Sequence, residues 1–249
     1  MDWLPPYLIP MSWPAPVAAG PAEVGWVYWL VAGPTALGWT LTYLLAIRQA
    51  VLDGRVGVPA HLVAVNFAWE FTLTFVLEQV PEQRPVNLLW CLLSGVLLYQ
   101  AFRFGHADHP RMSPRAFRWS VAGVAVWAAL AVLAAANEFH DTNGMYTGMI
   151  IQVPLSASFL FLLDRRGSSA GQSMHLAVVK LAGSVAAGLT AFLVYPGRYL
   201  FLVLVPTYVV LDIVYAVRLR RVMLAEGRAP WAWRMSGDEA GQIRPIRSA

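Results

Sequence analysis

Charge is what this sequence lacks most. Only 13% of its 249 residues are charged and 58% are hydrophobic, against about 25% charged in an ordinary soluble domain. The mean hydropathy is +0.54, more than one buried core absorbs, and several apolar runs approach the roughly 20 residues that cross a bilayer. A soluble globule is excluded. The expectation is a polytopic, multi-pass protein of the cell membrane with the lipid bilayer as a partner. Cysteine is limited to Cys91, which excludes a disulfide framework and any cysteine-based zinc or iron–sulfur centre. Lysine is limited to Lys180, the other 17 of the 18 basic residues being arginine. The basic pI of 9.5 therefore reflects membrane topology, with no nucleic acid as partner. The Arg, Ala and Val usage points to a GC-rich bacterial genome.

Motifs are missing too. No DDxxD, NDxxD or similar cluster is present to hold magnesium ions around a diphosphate. The closest acidic pair, Glu138 and Asp141, falls in an outer loop, and no GxSxG, HExxH or P-loop occurs. A retinal-type photoreceptor wants a Schiff-base lysine in its last span, where this chain has Asp212. His106, Asp108 and His109 form a short loop cluster that reads as a solvated turn beside Arg103 and Arg111. No metal and no cofactor is expected. Residues 1–25 carry no Lys or Arg, so the positively charged start of a signal peptide is absent. Their six prolines (5, 6, 10, 14, 16 and 21) alternate with Trp3, Tyr7 and Trp13, which predicts an interfacial segment instead of one straight helix.

What is present is a series of apolar windows bounded by charge, Pro or Gly. They predict an all-α bundle of seven membrane helices, roughly 26–47, 58–80, 86–104, 119–137, 144–163, 174–195 and 198–219, with the fifth interrupted by Pro154. No repeat is evident. The expected organisation is an N-terminal segment 1–25, one transmembrane domain 26–219 and a basic tail 220–249. Fifteen of the 17 arginines fall in alternate connections or at the C-terminal end, and only Arg84 and Arg198 fall on the other side. By the positive-inside rule the N-terminus is outside and the C-terminus cytoplasmic.

Ionisable groups within a span cost about 2.5–3.5 kcal/mol on insertion scales, so each needs a reason. Three qualify: Glu70, Lys180 and Asp212. Glu70 falls about midway along span 2, too deep to snorkel. Asn66, Glu70 and Thr74 share one helical stripe at a spacing of four, which predicts a face turned to a cavity. Asp212 has Tyr208 and Tyr215 on its own face, and Lys180 lies at matching depth in the neighbouring span. An ion pair would explain both charges completely. Ser94, Gln152 and Ser156 are further polar residues at membrane depth, either lining the same cavity or bonding helices together.

Seven spans, an Asn-x-x-Trp-Glu motif in span 2 (Asn66, Trp69, Glu70) and an acid in the last span (Asp212) resemble the transmembrane terpene cyclases. That family includes the paxilline-type indole diterpene and fungal meroterpenoid cyclases, with bacterial relatives in drimentine-type indole sesquiterpene pathways. The resemblance implies a cyclase that needs Glu70 and Asp212 for catalysis. Its substrate would be a prenylated indole or aromatic molecule, initiated at an epoxide or at a terminal alkene. A functional link to a prenyltransferase is implied as well. The residue reading converges on the same chemistry, because an apolar chain partitions into the cavity and a carboxyl removed from water keeps a proton to give. Glu70 is the candidate acid, and the aromatic faces of Trp69, Trp90, Tyr208 and Tyr215 are candidates to stabilise a moving cation. With Asn66, Thr74 and Gln152 they form the expected substrate-binding set. The other reading, from a different class, is a seven-helix transporter or membrane scaffold that uses Glu70 and Asp212 as an acidic relay.

Overall fold

The computed structural model describes residues 25–233. Among them the fold is all-helical: α1 (Trp26–Asp53), α2 (Ala60–Phe75), α3 (Gln83–Phe104), α4 (Pro114–Phe139), α5 (Met145–Arg166), α6 (Met174–Val194) and α7 (Tyr199–Ala225), with a short 3₁₀ turn at Gly105–Asp108. The segment 1–25, but for Gly25, and the tail beyond Trp233, with Arg234, Arg244 and Arg247, lie outside the described residues. Local chemistry sets the helix ends. Ser113 and Ser173 cap α4 and α6 by accepting from Ala116 N (3.2 Å) and Leu176 N (3.3 Å). Gly54 and Gly167 close α1 and α5 in the left-handed conformation.

Six of the seven helices are long and apolar enough to cross a membrane, and α2 is not among them. Span 2, expected over 58–80, is a 16-residue helix starting after Pro59, about 24 Å long at 1.5 Å per residue. It stops early because the Thr72 carbonyl accepts from both Val76 N (2.9 Å) and Leu77 N (3.0 Å), and Pro81 soon follows. The connection 76–82 therefore lies alongside the longer helices, where it forms one lip of the cavity described below. Pro154 does not interrupt α5, which runs through it from Met145 to Arg166. Neighbouring helices tolerate such an orphaned carbonyl in a membrane bundle. At its far end α7 continues to Ala225, past the expected start of the tail. Residues 226–233 then fold back, so that Arg48 stacks on Trp233 at 4.4 Å and His175 meets Trp231 and Trp233 edge-on.

Apolar residues cover the outside of the bundle as well as filling its core. On α4 Trp119, Val126, Trp127 and Leu130 are each more than 60% exposed, an apolar face that only lipid would cover favourably. The interior holds Glu70, Lys180 and Asp212, each buried. Helix α1 packs most extensively on α6, α2 on α3 and α4, and α5 on α7. The α1–α6 approach depends on glycine: a Cβ on Gly38 would stand 2.7 Å from Gly183 Cα. Small residues at such a crossing let the backbones touch.

Candidate active site

The seam of α1, α2, α3, α5 and α6 does not close. It encloses a cavity of about 230 Å³ lined by residues of these five helices, by the 76–82 turn and by the loop before α5. Neither α4 nor α7 contributes to the wall. Aromatic rings from several elements line it, among them Trp39 and Tyr43 from α1, Trp69 from α2, Trp90 from α3 and Tyr195 after α6. Polar groups stand among them, including Asn66, Gln152, Asn143 and two carboxyls, Glu70 from α2 and Glu82 from the turn before α3.

Glu70 is held asymmetrically. Its Oε1 accepts from the Tyr43 hydroxyl and from Asn66 Nδ2 (3.1 Å), and Asn66 Nδ2 also donates to the Tyr43 oxygen (2.6 Å). Ser94 borders the same carboxyl, but its hydroxyl donates to the Cys91 carbonyl (3.1 Å), leaving Oε2 without a hydrogen bond. With two donors on Oε1, a proton on this group belongs on Oε2, the less engaged oxygen. Thr74, the third member of the predicted stripe, hydrogen-bonds the Glu70 carbonyl (2.6 Å) and does not line the cavity. Two other expected residues are tied down at the wall. Trp90 Nε1 donates to Thr40 (3.0 Å) and Gln152 Nε2 to Ser184 (3.1 Å).

Asp212 lies elsewhere. Its Oδ1 accepts from Lys180 Nζ at 2.5 Å, Nζ also donates to Ser156 (2.8 Å), and both charged side chains are 1% exposed. The ammonium sits 5.8 Å from the Trp39 ring and 5.4 Å from Phe159, so Trp39 stands between this pair and the cavity it helps to line. Tyr208, whose hydroxyl donates to the Ser184 carbonyl (3.1 Å), and Tyr215 share the buried layer and are absent from the wall. Thus Asn66, Trp69, Glu70, Trp90 and Gln152 come together, whereas Thr74, Tyr208, Asp212 and Tyr215 lie behind them. Two residues the sequence reading passed over are close to the chemistry. Tyr43 touches Glu70 directly, and Asp141, set aside as a loop residue, is buried in the loop before α5, whose Asn143 and Gly144 line the cavity. Burial pushes the Asp141 carboxyl above its usual range, opposed by hydrogen bonds from Thr147. In the opposite loops Asp108 is bound by Arg55 (3.2 Å) and Arg166 (2.5 Å), and burial lowers the neighbouring His109.

An acid at a membrane-buried cavity lined by aromatic rings is the setting in which family membership becomes clear. The model of the Pyr4-like transmembrane terpene cyclases aligns with residues 15–224. The chain belongs to that family. It is an integral membrane terpene cyclase. Among curated proteins it is similar to a terpene cyclase of Apiospora sacchari, dpasB, with 31% identity over 73% of this chain and 71% of the relative. It is also similar to the Pyr4-family terpene cyclase mfmH of Annulohypoxylon moriforme, 26% identical over 60% of this chain and 64% of the relative. A Penicillium shearii terpene cyclase, esdpB, is 31% identical over 62% and 66%. These relatives are fungal. No solved structure is significantly similar to the chain.

Proposed function

We propose that this cyclase protonates a terminal alkene or epoxide of a prenylated indole or aromatic substrate from Glu70 and drives a cationic polyene cyclisation. The observation that carries the reading is the buried Glu70 carboxyl, held at Oε1 by Tyr43 and Asn66, at a cavity that Trp39, Trp69 and Trp90 also line. The proton moves from Oε2 to the CH carbon of the terminal (CH3)2C=CH unit, or to the epoxide oxygen as its bond to the dimethyl carbon breaks, leaving a tertiary cation on the substrate. Successive double bonds of the chain supply electron pairs to that cation, each forming a ring C–C bond. Loss of one proton at the end restores a neutral product, an isomer of the substrate, and a proton is returned to Glu70. Tyr43 and Asn66 stabilise the carboxylate formed in between by donating to Oε1. Trp39, Trp69 and Trp90 offer π faces to the migrating charge.

The protein spans the cell membrane seven times, the short α2 included, with the N-terminus outside and the C-terminus in the cytoplasm. Its composition supports a bacterial source, and its partner reaction is a prenyl transfer that supplies the substrate. A reporter active only in the cytoplasm works when fused after residue 249 and fails when fused at residue 1. The opposite pattern overturns the topology. For the reaction itself, membranes are incubated with a farnesylated indole and, separately, its terminal epoxide, both with EDTA present. A cyclised product of unchanged mass is expected in at least one incubation, because protonation needs no metal-activated diphosphate. Activity that is lost with EDTA and restored by magnesium excludes this mechanism.

A further inference from the structure

The Trp69 ring is not merely packed into the wall. Its Nε1–H donates to Thr147 Oγ1 (2.9 Å), and Thr147 Oγ1 in turn donates to Asp141 Oδ2 (2.9 Å). The direction of this chain is fixed by chemistry. An indole N–H only donates, Asp141 Oδ2 already serves as acceptor for the Thr147 backbone N–H, and the single hydrogen of the Thr147 hydroxyl goes to that same oxygen. The same Oδ2 accepts the Thr147 backbone N–H (2.7 Å), anchoring the carboxylate to the first turn of α5. Asp141 is itself fixed by the turn after α4, where its N–H donates to the Ala136 carbonyl (2.8 Å).

The apolar edge of the indole is seated just as closely. A Cβ on Gly148 would stand 3.0 Å from Trp69 Cζ2. One on Gly144, whose φ is +71°, would stand 2.9 Å from it and 2.4 Å from Leu73 Cδ1. Both glycines leave the space the six-membered ring occupies. Trp69 directly precedes Glu70 on α2 and lines the same cavity, so the ring stands beside the origin of the proton.

We infer that Asp141 and Thr147 are positioning residues that hold the Trp69 indole in one orientation and enrich its π face, so that it steadies the cation formed after protonation and sets how far cyclisation proceeds. This rests on the cyclase reading above. A buried carboxyl accepting at the far end of an N–H···O–H···O chain draws the indole proton outward and leaves more electron density on the ring. Cation–π attraction is worth about 0.5–2 kcal/mol depending on desolvation, so the effect falls on rate and product ratio and not on initiation alone. The alternative is that Asp141 only caps α5. The two roles separate at one atom, because the cap uses the Thr147 backbone N–H and the relay uses its hydroxyl.

Thr147→Val keeps shape and cap and removes only the hydroxyl. Thr147→Ser keeps both bonds, and Asp141→Asn keeps an acceptor but removes the carboxyl. The detergent-purified full chain is labelled with ¹⁵N-tryptophan, and the Trp69 indole resonance is identified by its loss in Trp69→Phe. In Thr147→Val that resonance is expected to shift and to lose protection from hydrogen exchange, with Thr147→Ser close to wild type and Asp141→Asn between them. With farnesylated indole or its epoxide, Thr147→Val is expected to lower kcat about 3- to 30-fold with KM within about twofold. It should also raise the share of prematurely deprotonated, less cyclised products, and Thr147→Ser should restore the wild-type ratio. A folded Thr147→Val protein with an unmoved Trp69 resonance, or with wild-type kcat and product ratio, overturns the inference. Should wild type fail to cyclise either probe, the functional reading falls while the resonance still decides the relay. If Thr147→Val does not fold, the same readouts on Asp141→Asn decide it.

Discussion

Glu70→Gln is expected to insert, purify and bind substrate as wild type does while losing about 10²- to 10⁴-fold in turnover, the contribution typical of a positioned proton donor. The isostere keeps the carbonyl that accepts from Tyr43 and Asn66 but replaces the acidic Oε2 with an amide that cannot protonate an alkene. Two companions sharpen the result. Glu70→Asp retains an acid and withdraws it by one methylene, so partial activity is expected. Tyr43→Phe leaves Asn66 as the one donor remaining on Oε1, and weakens stabilisation of the carboxylate formed after transfer, with a loss of about 10-fold. Single-turnover rates on a farnesylated indole, normalised to folded protein by size-exclusion chromatography, measure all three. A folded Glu70→Gln protein that cyclises near the wild-type rate removes Glu70 from the mechanism.

Much of the frame was legible because bilayer physics leaves few choices. Each of the seven helices overlaps its apolar window, although α2 stops at Phe75 and α7 runs on to Ala225, and six are long and apolar enough to cross a membrane, where a segment must satisfy its own backbone. Glu70 stood out because a carboxyl in such a segment is costly without a function. The failures share one cause, which is that they depend on contacts between helices. Tyr43 reads as filler in an apolar α1, and only the approach of α1 to α2 brings its hydroxyl to Glu70. The early end of α2 is decided by two backbone bonds onto the Thr72 carbonyl, invisible in a hydropathy window. Asp141 was set aside as half of an acidic pair in an outer loop, and only the folded turn before α5 brings its carboxyl to the Thr147 hydroxyl. An acid six residues before Thr147, at the opening of a helix, was the available signal.

Lys180 and Asp212 give the clearest case where a residue pattern was right and its consequence was open. The pair forms, fully buried and a layer behind the cavity wall. Removing one partner strands a charge away from water, which costs about 3–5 kcal/mol, whereas replacing both by apolar groups of similar size is often neutral. Lys180→Met and Asp212→Leu are each expected to lower thermal stability sharply and to lose activity with the fold. The double variant should recover much of the stability, a coupling visible as a non-additive double-mutant cycle. Because Glu70 and its donors are untouched by these changes, turnover in the double variant is expected to return to within about tenfold of wild type, the loss reflecting a less firmly held Trp39. Thermal melts in detergent and single-turnover rates on the same samples separate the two effects. A double variant as stable as wild type that does not cyclise at all would place the Asp212 carboxyl in the proton path itself. A Lys180→Met protein that is both stable and fully active would show that the ammonium contributes neither to the fold nor to the wall of the cavity.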